Sequence, residues 1–203
     1  MRVEFWFEFA STYSYPAAMH IEALAGERGV DVVWRPFMLG PIFKVQGWND
    51  SPFNLYPAKG RYMWRDIERI CAKVDVPYNR PTTFPRNGLL AARVACRFAN
   101  APWVADFVRA IYRANFEQDC DISTRETVAR CLAGSGESAV TVLEEAQSPE
   151  SKALLRRQTE EALRLGIFGA PSFVVSGELF WGSDRIEDAL SWAVEGGVMA
   201  SSR

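Results

Sequence analysis

Apolar and polar residues alternate over the first nine positions of the chain. Val3, Phe5, Phe7 and Phe9 fall on one side and Glu4, Trp6 and Glu8 on the other, the period-2 pattern of a β-strand. The period then changes. From Ser14 to about Arg28 the apolar positions Ala17, Ala18, Ile21, Leu24 and Ala25 recur at helical spacing, with Gly29 just past the end. Val30 to Arg35 reads as a second strand stopped by Pro36. Strand, helix and strand in immediate succession make a βαβ unit.

Residues 41–165 read as mostly helix, with no strand pattern and no internal repeat. Helices are expected over 57–74 with Pro57 near the start, over LLAARVACRFA behind a capping Asn87, and from Ala101 to about Phe116. Ser123-Thr124-Arg125-Glu126 reads as a capping box opening a helix over 124–132, and Ser148-Pro149 opens another. From residue 166 the pattern switches back. Pro171 to Val175 is a strand, Ser176-Gly177 a two-residue turn, and Glu178 to Trp181 its hairpin partner. A closing helix runs from about Asp184 to Val194, with Asp184 and Glu187 as a D-x-x-E cap. The order β-α-β, helices, β-β-α is that of an α/β, thioredoxin-like fold with a large all-helical insertion. Residues 1–40 and 166–203 would form the thioredoxin-like domain, and 41–165 the inserted helical domain.

Composition narrows the function. Of 203 residues 48% are apolar, and 13 Phe, 7 Trp and 6 Tyr are enough to fill a sizeable core. The formal net charge is −2 with no block of five like charges, which argues against nucleic acid or an anionic membrane as partner. No apolar run approaches the roughly 18 residues of a membrane span. MRVEFWFEF, with acids inside its apolar run, does not read as a secretory signal, and none is expected. Cys71, Cys96, Cys120 and Cys131 form neither C-x-x-C nor a zinc spacing, so free thiols in a reducing, cytoplasmic setting are expected. The single histidine, His20, falls about two turns into the first helix. A catalytic triad or a histidine-ligated metal is therefore not expected, and acid–base chemistry has to come from elsewhere, for example a cosubstrate.

Three short stretches carry candidate chemistry. In FASTYSYPAA two hydroxyls, Ser11 and Ser14, stand three apart where strand gives way to helix. Helix N–H groups there favour negative charge, and a thiolate held there has its pKa lowered. A serine cannot cycle to a disulfide, but it can donate to a thiolate supplied from outside; equally, Ser11 or Ser14 can simply cap the helix. In FGAPSF, Pro171 begins a strand, either as an ordinary turn proline or as a proline facing the first helix. In WGSDR, Gly182, Ser183 and Asp184 could cap the last helix, take the ends of a peptide, or both.

FEFASTYSYPA, WRPFMLGPIFK, NDSPFNLYPAKGRYMWRD and FGAPSFVVSGELFWGSDRI together resemble the bacterial 2-hydroxychromene-2-carboxylate isomerase family, which is closely related to kappa-class glutathione transferases. The match runs through nearly the whole chain. The resemblance implies glutathione as cofactor, with Ser11 hydrogen-bonded to its thiolate and Ala170 presenting backbone before a cis Pro171. It implies that Trp181, Gly182, Ser183 and Asp184 bind the γ-glutamyl end and that Lys59 lies near the glycyl carboxylate. Asn54, less securely Asn49, maps to the substrate pocket, as does Lys44, with Arg86 and Asn87 of the PRN stretch as further contacts. Trp181 and Phe37 would sandwich the substrate ring. One departure stands out: family members carry S-P-[FY]-S at the helix start, and here Thr12 replaces the proline.

The implied activity interconverts 2-hydroxychromene-2-carboxylate and trans-o-hydroxybenzylidenepyruvate, or a related aromatic keto acid, by reversible addition of the glutathione thiolate, with Ser11 as the catalytic group. Lys44 or Arg86 would hold the substrate carboxylate. The alternative is a kappa-class-like transferase that consumes glutathione, and a non-enzymatic thioredoxin-like binding module is a further class. A disulfide oxidoreductase fits poorly, because residues 11 and 14 are serines. Related enzymes are often homodimers, which is expected here too.

Overall fold

A computed structural model describes residues 1–196. Its strands are β1 (Arg2–Phe7), β2 (Asp31–Pro36), β3 (Ser172–Val175) and β4 (Glu178–Trp181). The helices are α1 (Ser14–Gly26), α2 (Leu39–Val45), α3 (Pro52–Leu55), α4 (Pro57–Lys73), α5 (Leu89–Arg97), α6 (Val104–Phe116), α7 (Arg125–Cys131), α8 (Ala139–Ala146), α9 (Pro149–Arg164) and α10 (Ile186–Val194). Residues 197–203, the end of the second thioredoxin-like segment expected above, lie outside the described residues.

The sheet runs β2-β1-β3-β4. β1 pairs in parallel with β2, Arg2 opposite Asp31 and Phe7 opposite Pro36, and antiparallel with β3, Phe5 opposite Phe173. β3 and β4 form a hairpin whose turn residues, Ser176 (φ 51°) and Gly177 (φ 87°), both lie in the left-handed region that tight hairpins require. Pro36 belongs to β2 rather than ending it, because β2 is an edge strand where a missing N–H costs no ladder bond.

β1 is an inner strand, and this changes the reading of its alternation. Phe5, Phe7 and Phe173 pack with Tyr15, Ile21, Trp34 and Tyr112 on one face, the Phe5 and Phe173 rings stacked 5.4 Å apart. Trp6, on the side read as polar, is 2% exposed and packs with Phe37, Ile42, Ala162, Ile167 and Val174 on the other. Helices therefore cover both faces, α1, α6 and α10 on the first and α2 and α9 on the second. Glu4 pairs with Arg35 on β2 at 2.8 Å.

Several boundaries move for local reasons. α1 ends at Gly26, and the chain turns through Gly29 (φ 64°) so that Val30 N–H reaches Ala25 O at 2.9 Å. α6 starts at Val104 rather than Ala101. The cap of α7 is Thr124, whose hydroxyl accepts from Thr127 N–H, one residue later than the Ser123 box. Ser148 caps α9 with Pro149 at the first helical position, as its sequence indicates. The closing helix is split: a 3-10 turn over Ser183–Arg185 precedes α10, whose N-cap is Arg185 without a side-chain bond. Asp184 is therefore not a helix cap. Among the described residues no helix is long and apolar enough to cross a membrane.

Candidate active site

The turn from β1 into α1 is built by its own backbone. Ser11 N–H donates to Glu8 O at 2.9 Å and Tyr15 N–H to Thr12 O at 3.3 Å, so the helical turn begins before the regular helix. Ser11 Oγ accepts from Ser14 N–H at 3.2 Å, the geometry of a cap. The same oxygen donates to Ala170 O at 3.0 Å, 159 residues away. Ser11 thus holds the first N–H of α1, ahead of its N-cap Tyr13, and faces the second candidate stretch at once. Ser14 is fully buried, so of the two hydroxyls only Ser11 lines the cavity described next. Thr12 is 1% exposed and its hydroxyl has no partner.

The peptide bond between Ala170 and Pro171 is cis. Pro171 O accepts from Gly182 N–H at 3.0 Å, which brings the Trp181–Asp184 turn against the Ser11 loop. Two glycines make this approach possible. A Cβ on Gly169 would meet Trp181 Nε1 at 2.5 Å, and one on Gly182 (φ 118°) would meet Asp184 Oδ1 at 2.5 Å. The Trp181 ring packs on Phe168 at 4.9 Å, and both are about half exposed. The Asp184 side chain is 74% exposed, with Arg185 Nη2 at 3.5 Å.

These stretches line one cavity of about 1540 Å³. That volume exceeds the roughly 300–1,000 Å³ of a pocket for one small ligand. Ser11, Lys44, Lys59, Ala170, Pro171, Trp181, Gly182, Ser183 and Asp184 all line it. Lys44 comes from α2 and Lys59 from α4, where its ammonium lies 4.8 Å from the Tyr56 ring centre. The polar groups suit glutathione: a hydroxyl at a helix start for sulfur, backbone at the start of a strand for a peptide, an exposed carboxylate for an ammonium, and lysines for carboxylates.

Three expected substrate contacts are not brought to the cavity in usable form. Phe37 is fully buried, edge-on to Trp6 at 6.2 Å, because it fills the core beneath the sheet. Asn54 does not line the cavity, and its amide donates to the Asp50 carboxylate at 3.1 Å. Asn49 does line it. Arg86 reaches the cavity wall, but its guanidinium is spent inside the protein. It donates to Asn115 O and Oδ1, Cys120 O, Thr82 Oγ1 and Asp119, with which it also forms an ion pair. Hence it holds the 82–88 and 115–120 segments together rather than a substrate carboxylate.

The aromatic wall comes instead from Phe43, Trp48, Phe53 and Phe84, with the Phe43 and Trp48 rings 5.8 Å apart. Gln46 Nε2 donates to Phe168 O at 3.3 Å and so ties the end of α2 to the Pro171 loop. The signal for Phe43, Trp48 and Phe53 lay in PIFKVQGWNDSPF, where aromatics recur without any period that would bury them in a helix face. Glu8 was also missed. It lines the cavity at 8% exposure, and burial raises its pKa from 4.5 to about 7 against the pull of the Ala10 and Ser11 N–H groups. Tyr13, in the same loop, donates to Asp66 at 3.1 Å, and burial together with the Asp66 charge pushes its hydroxyl above the ordinary range.

Comparison with known proteins agrees with this architecture. The model of the DSBA-like thioredoxin domain family matches residues 2–191. The chain is 29% identical over 195 residues to a 2-hydroxychromene-2-carboxylate isomerase of Sphingobium xenophagum, covering 95% of this chain and 98% of that protein. It is 26% identical over 199 residues to glutathione S-transferase kappa 1 of Homo sapiens, covering 91% and 87%. A solved 2-hydroxychromene-2-carboxylate isomerase superposes over 100% of both chains with a TM-score of 0.85 at 21% identity. A probable DsbA oxidoreductase from Streptomyces coelicolor gives 0.77 at 20% identity, over 100% of this chain and 92% of that one. These two structures share the fold.

Proposed function

The chain belongs to the DSBA-like thioredoxin domain family, and from that premise we propose that it is a glutathione-dependent isomerase of aromatic α-keto acids, of the 2-hydroxychromene-2-carboxylate type. The observation that carries this reading is the Ser11 hydroxyl, set between the start of α1 and the Ala170 carbonyl in a cavity that lysines also line. Thiol–disulfide exchange by this chain's own residues would need a cysteine there, and among the described residues no cysteine lines the cavity. Burial also holds the Cys71 and Cys96 thiols at about 12 and about 11, far from reactive.

Bound glutathione would supply a thiolate nucleophile that adds reversibly to a conjugated carbon, allowing bond rotation before elimination. Ser11 would turn its hydroxyl hydrogen from Ala170 O towards the sulfur, while its oxygen keeps the Ser14 N–H and so the helix start. Ala170 would offer backbone to the cysteinyl unit, the Gly182–Asp184 turn would take the γ-glutamyl end, and Lys59 the glycyl carboxylate. Lys44 would hold the substrate carboxylate, with its ring against Phe43 and Trp48. A kappa-like transferase would use the same thiolate. The two differ only in whether glutathione is consumed.

Titration calorimetry with ultraviolet difference spectra tests the reading. Wild type is expected to bind glutathione and develop thiolate absorbance near neutral pH. Ser11→Ala is expected to keep most of the binding and lose at least about tenfold in thiolate stability, one charge-assisted hydrogen bond. Absence of binding by wild type would overturn the glutathione reading. Turnover of an aromatic keto acid without loss of glutathione would then separate isomerase from transferase.

A further inference from the structure

A thiol that becomes a thiolate at the start of α1 leaves a proton to be placed. The one imidazole does not line the cavity, and His20 Nδ1 instead lies 3.1 Å from Pro16 O on α1. Three residues before Ser11, the cavity wall holds a buried carboxyl. We propose that Glu8 is the proton acceptor of this site, a role that rests on the glutathione reading above. On binding, the S–H bond breaks, the electron pair stays on sulfur, and the proton is held on the Glu8 carboxyl. When the sulfur is released, the proton returns to it. No oxidant or further reactant is needed.

The geometry holds this side chain at its post. Glu8 Oε2 accepts from Ala10 N–H at 2.9 Å, and its backbone oxygen accepts from Ser11 N–H at 2.9 Å and from Tyr112 Oη at 3.0 Å. Bonded at its carboxyl and at its backbone oxygen, Glu8 is 8% exposed. It is the buried carboxyl among the described residues that line the cavity. Asp50 and Asp184 are exposed, and Asp66 is held by Tyr13 and Arg69. Among the described residues that line the cavity, no cation is seen paired with it, and Arg185 pairs with Asp188 at 2.8 Å. Arg86 is committed to the 115–120 segment, and Lys44 and Lys59 are exposed. From α6, Tyr112 stays neutral, because burial first and the Glu8 charge second raise its pKa well above 10. A pKa of about 7 leaves Glu8 ready to exchange its proton at neutrality, and a thiolate in the same cavity would favour its protonated form. The sulfur and the carboxyl would then share one proton.

The experiment counts protons. Glutathione is titrated calorimetrically into wild type and Glu8→Gln in buffers of different ionisation enthalpy, with thiolate absorbance recorded alongside. At about pH 8, where free Glu8 is mostly ionised, wild type is expected to release less than about half a proton per thiolate formed, and Glu8→Gln about one. At about pH 6 the two are expected to converge. Equal release at about pH 8 would overturn the proposal while leaving glutathione binding intact. No binding at all would overturn both readings. Should Glu8→Gln fail to fold, infrared difference spectra of the wild type decide. Glutathione is expected to convert a carboxylate band into a protonated-carboxyl stretch, S-methylglutathione to leave it unchanged, and no conversion would overturn the proposal.

Discussion

At the scale of single residues, the polar groups in the cavity wall divide by where their hydrogen bonds already go. Arg86 and Lys44 are both cations expected to meet a substrate carboxylate, Lys44 through the family resemblance and Arg86 through the PRN stretch. The sequence cannot show that Arg86 is 7% exposed with its donors aimed at the Asn115 and Cys120 carbonyls and at Asp119. The distinction has a measurable consequence. Arg86→Ala strands several buried acceptors and is expected to lower the melting temperature by about 5 °C or more. Lys44→Ala removes an exposed side chain and is expected to leave melting nearly unchanged while raising KM for a carboxylate substrate about tenfold. Thermal melts with steady-state kinetics check the pair. A KM effect at Arg86 without loss of stability would restore it as a substrate contact.

Among the elements, what was legible follows the strength of the local signal. Ser148-Pro149 places α9 correctly because an N-cap followed by Pro at N1 satisfies local backbone needs alone. The hairpin turn at Ser176-Gly177 is equally local. The D-x-x-E at Asp184 misleads because the chain takes a 3-10 turn first, held by Arg185 N–H on Gly182 O at 3.0 Å, so Asp184 stands one residue ahead of the N-cap. Likewise α2 and α3 are too short for a periodic stripe, yet the segment they span carries Phe43, Lys44 and Trp48 to the cavity. Paired variants test the reassigned turn. Ser148→Ala is expected to cost about 1 kcal/mol in denaturant unfolding. Asp184→Ala is expected to cost nothing measurable in the same experiment, and to weaken glutathione binding several-fold by calorimetry, as loss of an ammonium partner requires. A stability loss at Asp184 equal to that at Ser148 would return it to the role of cap.

Across the whole molecule, the element order was readable because two changes of hydrophobic period frame a long helical stretch. What that order hid is that β1 is covered on both faces, so its last acidic neighbour is carried into the interior. Glu8 therefore links the site to the stability of the fold. Its folded pKa of about 7 lies above the ordinary 4.5 of an unfolded chain. Between those values the folded state holds a proton that the unfolded state has lost, so unfolding free energy falls as pH rises, at 2.303RT per pH unit. Its effect is absent below about pH 4.5 and complete above about pH 7, a total of roughly 3 kcal/mol. Urea unfolding of wild type and Glu8→Gln from about pH 4.5 to 8 isolates this from every other titrating group, since only the difference between the two curves is read. The difference is expected to grow in favour of the glutamine variant across that interval and to level off beyond it. Parallel curves for the two proteins would mean that Glu8 is ionised in the fold at all these pH values. It would then be a fixed charge at the site and not a proton store.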